Sequence, residues 1–262
     1  MASIAKTIVL ITGGKSIPYS LHSTSNPSTG NSGIGFELAA QLLAKSTYHV
    51  LIGSRSVDKG TTALADLQSR NLPGTAEVLQ LDVTDDDTIN QVALTVEKNH
   101  GKLDILVNNA AVAMPLGSDR EQLRAAFDTN ATGPYILAKT LLPLLQKSPS
   151  ARVINISSGV GSIGRKLDPS GPFHKFSGVQ YRASKTALNM VSACQFVEFA
   201  DMGIKVSLYD PGFTVSNLGP HNNVESGARS ARESVLPLMD VLEGKRDAEA
   251  GLFLHNTGTW PW

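Results

Sequence analysis

Cysteine is almost absent from this chain. Cys194 stands alone among 262 residues, so no internal disulfide can form. A reducing compartment accords with that, and the default location is cytoplasmic. Neither sign of charge is in excess. Lys and Arg total 23, Asp and Glu total 23, and the formal net charge is zero. That balance lacks the basic footprint expected of a protein that binds nucleic acid or an anionic membrane. Long apolar runs are missing too. None approaches the roughly 18 to 20 residues of a membrane span. The start, residues 1 to 14, carries one lysine and a short β-branched run ending in glycines. It reads as a first strand rather than a signal peptide.

What is present suffices for a packed core. The chain is 41% hydrophobic and 18% charged, and its length suits one globular domain, residues 1–262. Thr7 to Thr12 is a short apolar run followed by glycines and reads as a buried strand. Further strands are predicted at 49–54, 77–81, 103–107, 152–156, 205–209 and 252–255. Helices are predicted at 33–45, 58–70, 85–99, 120–145 and 179–202. Such alternation predicts an α/β fold, a doubly wound parallel sheet of Rossmann type with helices on both faces. Cys194 falls in an apolar helical pattern and is expected to be a packed thiol. Residues 212–250 fit the alternation poorly and are expected to form a mobile substrate flap.

The turn after Thr12 should cradle a pyrophosphate. Glycines let the backbone approach the phosphates, and a helix N-terminus supplies donors and a positive dipole end. The pieces are Thr12-Gly13-Gly14 and Asn31-Ser32-Gly33-Ile34-Gly35. An acidic residue about 20 positions past the last glycine would select NAD by binding its ribose 2′-hydroxyl. Counting on from Gly35 reaches Ser54 and then Arg55, neither of them acidic. An arginine there clamps a 2′-phosphate, so the expected cofactor is NADP(H).

Tyr181 and Lys185 lie four residues apart, one turn apart on the same helix face. An ammonium beside a phenol lowers the tyrosine pKa toward neutrality. Such a tyrosine can donate a proton to a developing alkoxide or accept one from an alcohol.

Jointly, these residues resemble the short-chain dehydrogenase/reductase family over nearly the whole chain. The likeness rests on the split glycine turn, Leu81-Asp82-Val83, Asn108-Asn109-Ala110, Asn130, Ile154-Asn155-Ile156-Ser157-Ser158, Tyr181 to Lys185 and Asp210-Pro211-Gly212. Segments around residues 50 to 112 look most like carbonyl-reductase-type members. The resemblance implies that Tyr181 is the proton donor and that Lys185 lowers its pKa and holds the nicotinamide ribose. It implies that Ser158, rather than Ser157, hydrogen-bonds the substrate carbonyl. Asn130 would kink its helix and hold a water in the proton relay. Asp82 and Val83 would contact the adenine, and Asn109 and Ala110 would line the cofactor. Pro211 and Gly212 would border it, Thr214 would reach the carboxamide through its backbone, and Ser216 would support the phosphates. Family members often pair through long helices, which implies a homodimer or homotetramer, although carbonyl-reductase-like members can be monomeric.

Two departures stand out. The family's Asn-Asn-Ala-Gly reads Asn108-Asn109-Ala110-Ala111, which is expected to cost backbone freedom. About ten extra residues precede Tyr181, among them Lys166, Asp168, Pro169, Pro172, Phe173 and His174. They are expected to form a loop at the pocket rim, with His174 a rim residue rather than a base.

The phosphate turn is also interrupted by residues 15–30. Deleting these 16 residues joins Gly14 to Asn31 and restores the family spacing. Their coding length, 48 nucleotides, is divisible by three. Gly14-Lys15-Ser16 can be encoded to contain GTAAGT, Ser25-Asn26 to contain CTAAC, and Thr29-Gly30 to contain ACAG before an in-frame glycine codon. These match a 5′ splice site, a branch point and a 3′ splice site, so the segment is compatible with a retained intron. The alternative is a genuine surface insertion, since loop-closure entropy grows slowly with length.

The expected activity is an NADP(H)-dependent oxidoreductase acting on a small carbonyl or secondary alcohol, with no metal. Two rivals are an NADP-binding scaffold or sensor with little turnover, and a biosynthetic enzyme coupling reduction to another transformation.

Overall fold

The structure, a computed structural model, describes residues 6–13 and 33–262. Gly14, Ser32 and the 15–30 segment lie outside the described residues.

Eight strands form one sheet in the order β3-β2-β1-β4-β5-β6-β7-β8. They are β1 (Thr7–Thr12), β2 (Tyr48–Ser54), β3 (Thr75–Gln80), β4 (Ile105–Asn108), β5 (Arg152–Ile156), β6 (Lys205–Asp210), β7 (Phe253–His255) and β8 (Gly258–Trp260). All neighbours pair in parallel except β8, which turns back antiparallel on β7. The helices are α1 (Ile34–Leu43), α2 (Val57–Ser69), α3 (Asp86–His100), α4 (Asp119–Phe127), α5 (Gly133–Leu145), α6 (Ile163–Leu167), α7 (Val179–Ala200) and α8 (Ala231–Leu242).

Strand alternation sends side chains to both faces. On β1, Val9 and Ile11 join a core with Leu38 and Leu42 of α1, Leu67 of α2 and Leu238 of α8. Ile8 and Leu10 face the other core, with Ile89 and Val96 of α3, Leu141 of α5 and Phe199 of α7. Burial on both sides explains why the central strands read as unbroken apolar runs. Chain order reverses between β1 and β4, so a crevice opens at the carboxyl ends of these strands.

Four expectations are corrected. The helical stretch 120–145 is interrupted by a π-helical turn at Asp128–Thr132. The 212–250 region is not one flap, because α8 buries Val235, Leu238, Val241 and Leu242 in the core. Cys194 is exposed, since α7 turns that face outward with Met190 and Val197. Ala111 costs no backbone freedom. Asn71 is the one non-glycine with positive φ among the described residues, so Ala111 holds an ordinary conformation.

Candidate active site

The crevice between the ends of β1 and β4 is a cleft of about 780 Å³. Its floor is a latch between those two strands. The Thr12 hydroxyl accepts from the backbone N–H groups of Asn109 and Ala110 at 3.0 and 2.9 Å. The Asn109 amide donates back to the carbonyls of Thr12 (2.8 Å) and Gly13 (3.2 Å). Gly13 has φ +74°, and a Cβ there would stand 2.7 Å from the Ala110 Cα. Only glycine fits both restrictions.

Gly33, Ile34 and Gly35 line the cleft where α1 begins. Gly33 caps that helix with φ 123° and no side-chain hydrogen bond. Among the described residues no side chain caps the first-turn N–H groups, which point at the cleft. Ser216 lies against this turn, its Cβ 3.8 Å from where a Gly33 Cβ would be. Arg55 lines the cleft just past β2 and is exposed, with no carboxylate partner among the described residues. Asp82 and Val83 line it beyond β3. Asp82 accepts from the N–H and hydroxyl of Thr84, while Asp85 rather than Asp82 caps α3. Bare helix N–H groups, glycines and an unpaired guanidinium fit a phosphorylated dinucleotide.

At the far wall the two serines after β5 separate. Ser157 is buried, and its hydroxyl donates to the Asn189 carbonyl oxygen at 2.6 Å. Ser158 stays partly open on the cleft wall beside Tyr181, where its hydroxyl favours the ionised phenol slightly. Both Tyr181 and Lys185 line the cleft from the first turns of α7. The Lys185 ammonium donates to the Ile156 carbonyl at 2.8 Å and lies 5.8 Å from the Tyr181 ring centre.

Electrostatics here depart from the sequence expectation. Tyr181 is not tuned toward neutrality. Burial pushes its pKa well above the usual phenol value, and the Asp210 charge pushes it further, against a smaller lowering by Ser158. Lys185 carries the large downward shift instead. Burial brings it to about 7, with Asp210 opposing. Helix periodicity places the pair on one face, but desolvation of both groups outweighs any mutual effect.

Asn130 sits in the π-helical turn and is fully buried. Its side-chain oxygen accepts from the Val112 N–H at 2.9 Å, and its amide donates to the Val112 carbonyl and the Ser184 hydroxyl. The kink is there, but the side chain is committed to these partners. A relay water in that turn would have to be held by main-chain atoms.

Pro211, Gly212, Thr214 and Ser216 border the cleft after β6. The Thr214 hydroxyl sits between the Gly212 carbonyl and the Ser234 hydroxyl, which anchors this loop to α8. Within the expected flap, the cleft is lined by residues up to Asn222. The segment before Tyr181 does not form the rim of this cleft. It borders a separate hollow of about 280 Å³ with Arg165, Asp168, Phe173 and Arg182. His174 hydrogen-bonds the Lys166 carbonyl at 2.9 Å.

Sequence reasoning assigned no role to Asp210. It is 5% exposed; its carboxylate accepts from the Gly212 N–H and from the Trp260 indole N–H, each at 2.8 Å. Trp260 stacks under the Arg165 guanidinium at 3.7 Å, and the Ser162 hydroxyl donates to the Pro261 carbonyl at 2.6 Å. The end of the chain thus braces the loop that follows Ser158. The signal available was an aspartate at the end of a buried strand, with two tryptophans at the terminus.

A doubly wound sheet with a glycine turn, a latched β1–β4 crevice and a serine–tyrosine–lysine wall defines a dinucleotide-dependent oxidoreductase. The comparisons agree. The short chain dehydrogenase family matches residues 28–225. Short-chain dehydrogenase anuI of Penicillium roqueforti is 34% identical over 242 residues, covering 90% of this chain and 89% of the relative. Short-chain dehydrogenase/reductase tropE of Talaromyces stipitatus is 34% identical over 254 residues, covering 87% and 93%. The crystal structure of NADPH-bound carbonyl reductase from chicken fatty liver superposes with a TM-score of 0.80 at 26% identity, covering 98% of this chain and 100% of that one. This chain belongs to the short-chain dehydrogenase/reductase family. Among the described residues, no helix is long and apolar enough to cross a membrane.

Proposed function

We propose that the protein is an NADP(H)-dependent reductase that interconverts a small carbonyl compound and a secondary alcohol. The observation that carries this is the convergence of Ser158, Tyr181 and Lys185 on one wall of the cleft that also holds the glycine turn. The chemistry NADPH supplies when bound is a hydride. Everything else falls to the chain. Gly13, the start of α1 and Ser216 would bind the diphosphate, Arg55 the 2′-phosphate, and Asp82, Val83, Asn109 and Ala110 the adenosine side. Pro211, Gly212 and Thr214 would orient the nicotinamide, and Lys185 its ribose.

Ser158 donates a hydrogen bond to the carbonyl oxygen, and Tyr181 gives its proton to that oxygen as negative charge grows. The raised pKa of Tyr181 suits this direction, because the phenol stays protonated at neutral pH until an alkoxide asks for the proton. Lys185, near 7, can carry charge at physiological pH and pass on a proton to restore the phenol. The carbonyl reductase neighbour and Arg55 support NADPH over NADH. Pairing of subunits through α4, α5 and α7 is supported by the exposed Met190, Cys194 and Val197 on α7.

The test is NADPH consumption over a panel of ketones and aldehydes, with NADH alongside. Turnover with NADPH is expected. Cofactor binding without turnover on any of them would favour the scaffold reading, whose support is the interrupted phosphate turn.

The 15–30 segment is proposed to be intron-encoded and removed by splicing from the mature transcript. The family match starts at residue 28, beyond most of it. Across the gap, Gly13 and Gly35 are neighbours, the Gly13 oxygen lying 3.3 Å from where a Gly35 Cβ would be. The flanks therefore meet as they would without it. A mature transcript carrying these 48 bases would sink the proposal. A protein lacking residues 15–30 should bind NADPH more tightly than the 262-residue chain. Equal dissociation constants by fluorescence titration would refute that.

A further inference from the structure

The opposite end of β2 holds a second cluster of reactive side chains that the reaction does not use. His49 and Glu77 lie on the same face of β2 and β3, since Thr75 pairs with His49 and Glu77 with Leu51. That face packs on α3, whose last residue is His100. The three side chains converge. The His100 Nε2 is 2.7 Å from the Glu77 Oε1, and the His49 Nε2 is 3.6 Å from the same oxygen. All three ligand atoms lie within 4.8 Å of one another. The His49 Nε2 is buried and has no hydrogen-bond partner among the described residues.

We infer that His49, Glu77 and His100 form a binding site for one divalent transition-metal ion of the zinc class. Two imidazoles and a carboxylate are the ligand chemistry of zinc, with bonds of about 2.0 to 2.2 Å. Tetrahedral ligands at that radius stand roughly 3.3 Å apart. The two separations to Glu77 bracket this value, and the third, between the two histidines, is within 4.8 Å, so closure on the ion draws the imidazoles together. A second shell is already built. The His49 Nδ1 is 2.7 Å from the Thr75 hydroxyl, which also accepts from the Lys6 ammonium at 2.9 Å. With Nδ1–H donating to Thr75, the His49 Nε2 keeps its lone pair for the metal. The Lys6 charge opposes a cation, and the Glu77 carboxylate offsets it. Entry is open on the Glu77 side, which is 36% exposed, against 17% for His49 and 15% for His100.

The ion would tie β3, the edge of the sheet, to β2 and to the end of α3. It would not enter the reaction. Five residue steps along β2 separate His49 from the cleft residue Ser54, about 16 Å along a strand.

The test is zinc binding by tag-free, full-length protein, followed by equilibrium dialysis and metal analysis. One equivalent is expected. His100→Gln and His49→Gln should each weaken binding by roughly tenfold or more, whereas His174→Gln, away from the cluster, should change nothing. Zinc should raise the melting temperature of the wild type and leave NADPH turnover unaltered. Cobalt substituted for zinc should give the intense visible absorption of a four-coordinate site. If His49→Gln does not fold, His100→Gln and the cobalt spectrum still decide. No retained zinc, binding that persists unchanged in His100→Gln, or binding lost in His174→Gln would overturn the assignment.

Discussion

β2 carries ionisable groups at both ends, and the two ends are built differently. At the carboxyl end, past Ser54, the chain opens onto a cleft, and Arg55 points there without a carboxylate partner among the described residues. At the amino end, His49 closes onto Glu77 and His100. The difference follows from topology. A parallel sheet separates its loops at the carboxyl edge where the strand order reverses, and a molecule-sized space results. The amino edge has no such divergence, so its side chains meet each other and leave room for an ion at most. Burial amplifies the contrast. Tyr181 and Lys185 are driven far from their usual pKa values because burial penalises the charged form of each.

Substitutions at the cleft should therefore alter catalysis. After loss of the acid itself, the largest effect is expected for Lys185→Ala, which removes the proton reservoir and a ribose contact together. We expect kcat for ketone reduction to fall roughly a hundredfold or more, with NADPH bound more weakly. Steady-state kinetics and a fluorescence titration separate the two losses. Arg55→Ala comes next. Loss of hydrogen bonds to a charged 2′-phosphate should raise the NADPH Kd about ten- to a hundredfold and leave NADH unaffected. An equal loss for both nucleotides would remove Arg55 from that role.

A smaller effect is expected from pH. Lys185, lowered to about 7, is charged below that value and neutral above it. Reduction that draws on its proton should decline as pH rises through about 7. The Asp210 charge raises the pKa of both Lys185 and Tyr181. Asp210→Asn should then move the alkaline limb of the kcat/KM profile to lower pH, by about one unit or less. A limb that stays in place, or moves upward, would show that Asp210 does not act on the pair.

Much of the fold was legible because both cores draw on alternating apolar positions of the central strands. The site was legible where residue type and local spacing decide it: Gly13, Ser158, Tyr181 and Lys185 all reach the cleft. Other features depend on contacts distant in sequence. Asn130 spends its amide on Val112 and Ser184, 18 and 54 residues away, and helical periodicity carries no sign of that. Asp210 meets Trp260, 50 residues on, through β8, a three-residue strand too short for its pattern to show. The pKa assignments failed for a related reason. Spacing reports that Tyr181 and Lys185 are neighbours, but desolvation depends on everything packed around them. Residues 231–242 form α8 within the expected flap because Val235, Leu238, Val241 and Leu242 find core partners on α1 and the sheet, a contact distant in sequence.

The proposal that Tyr181 delivers the proton is tested most directly by Tyr181→Phe, assayed for NADPH-dependent ketone reduction alongside NADPH binding. The phenylalanine keeps the ring and loses only the acid. Turnover should drop by about two to four orders of magnitude while the NADPH Kd stays within a few-fold of wild type. Turnover close to wild type in that variant would contradict the account.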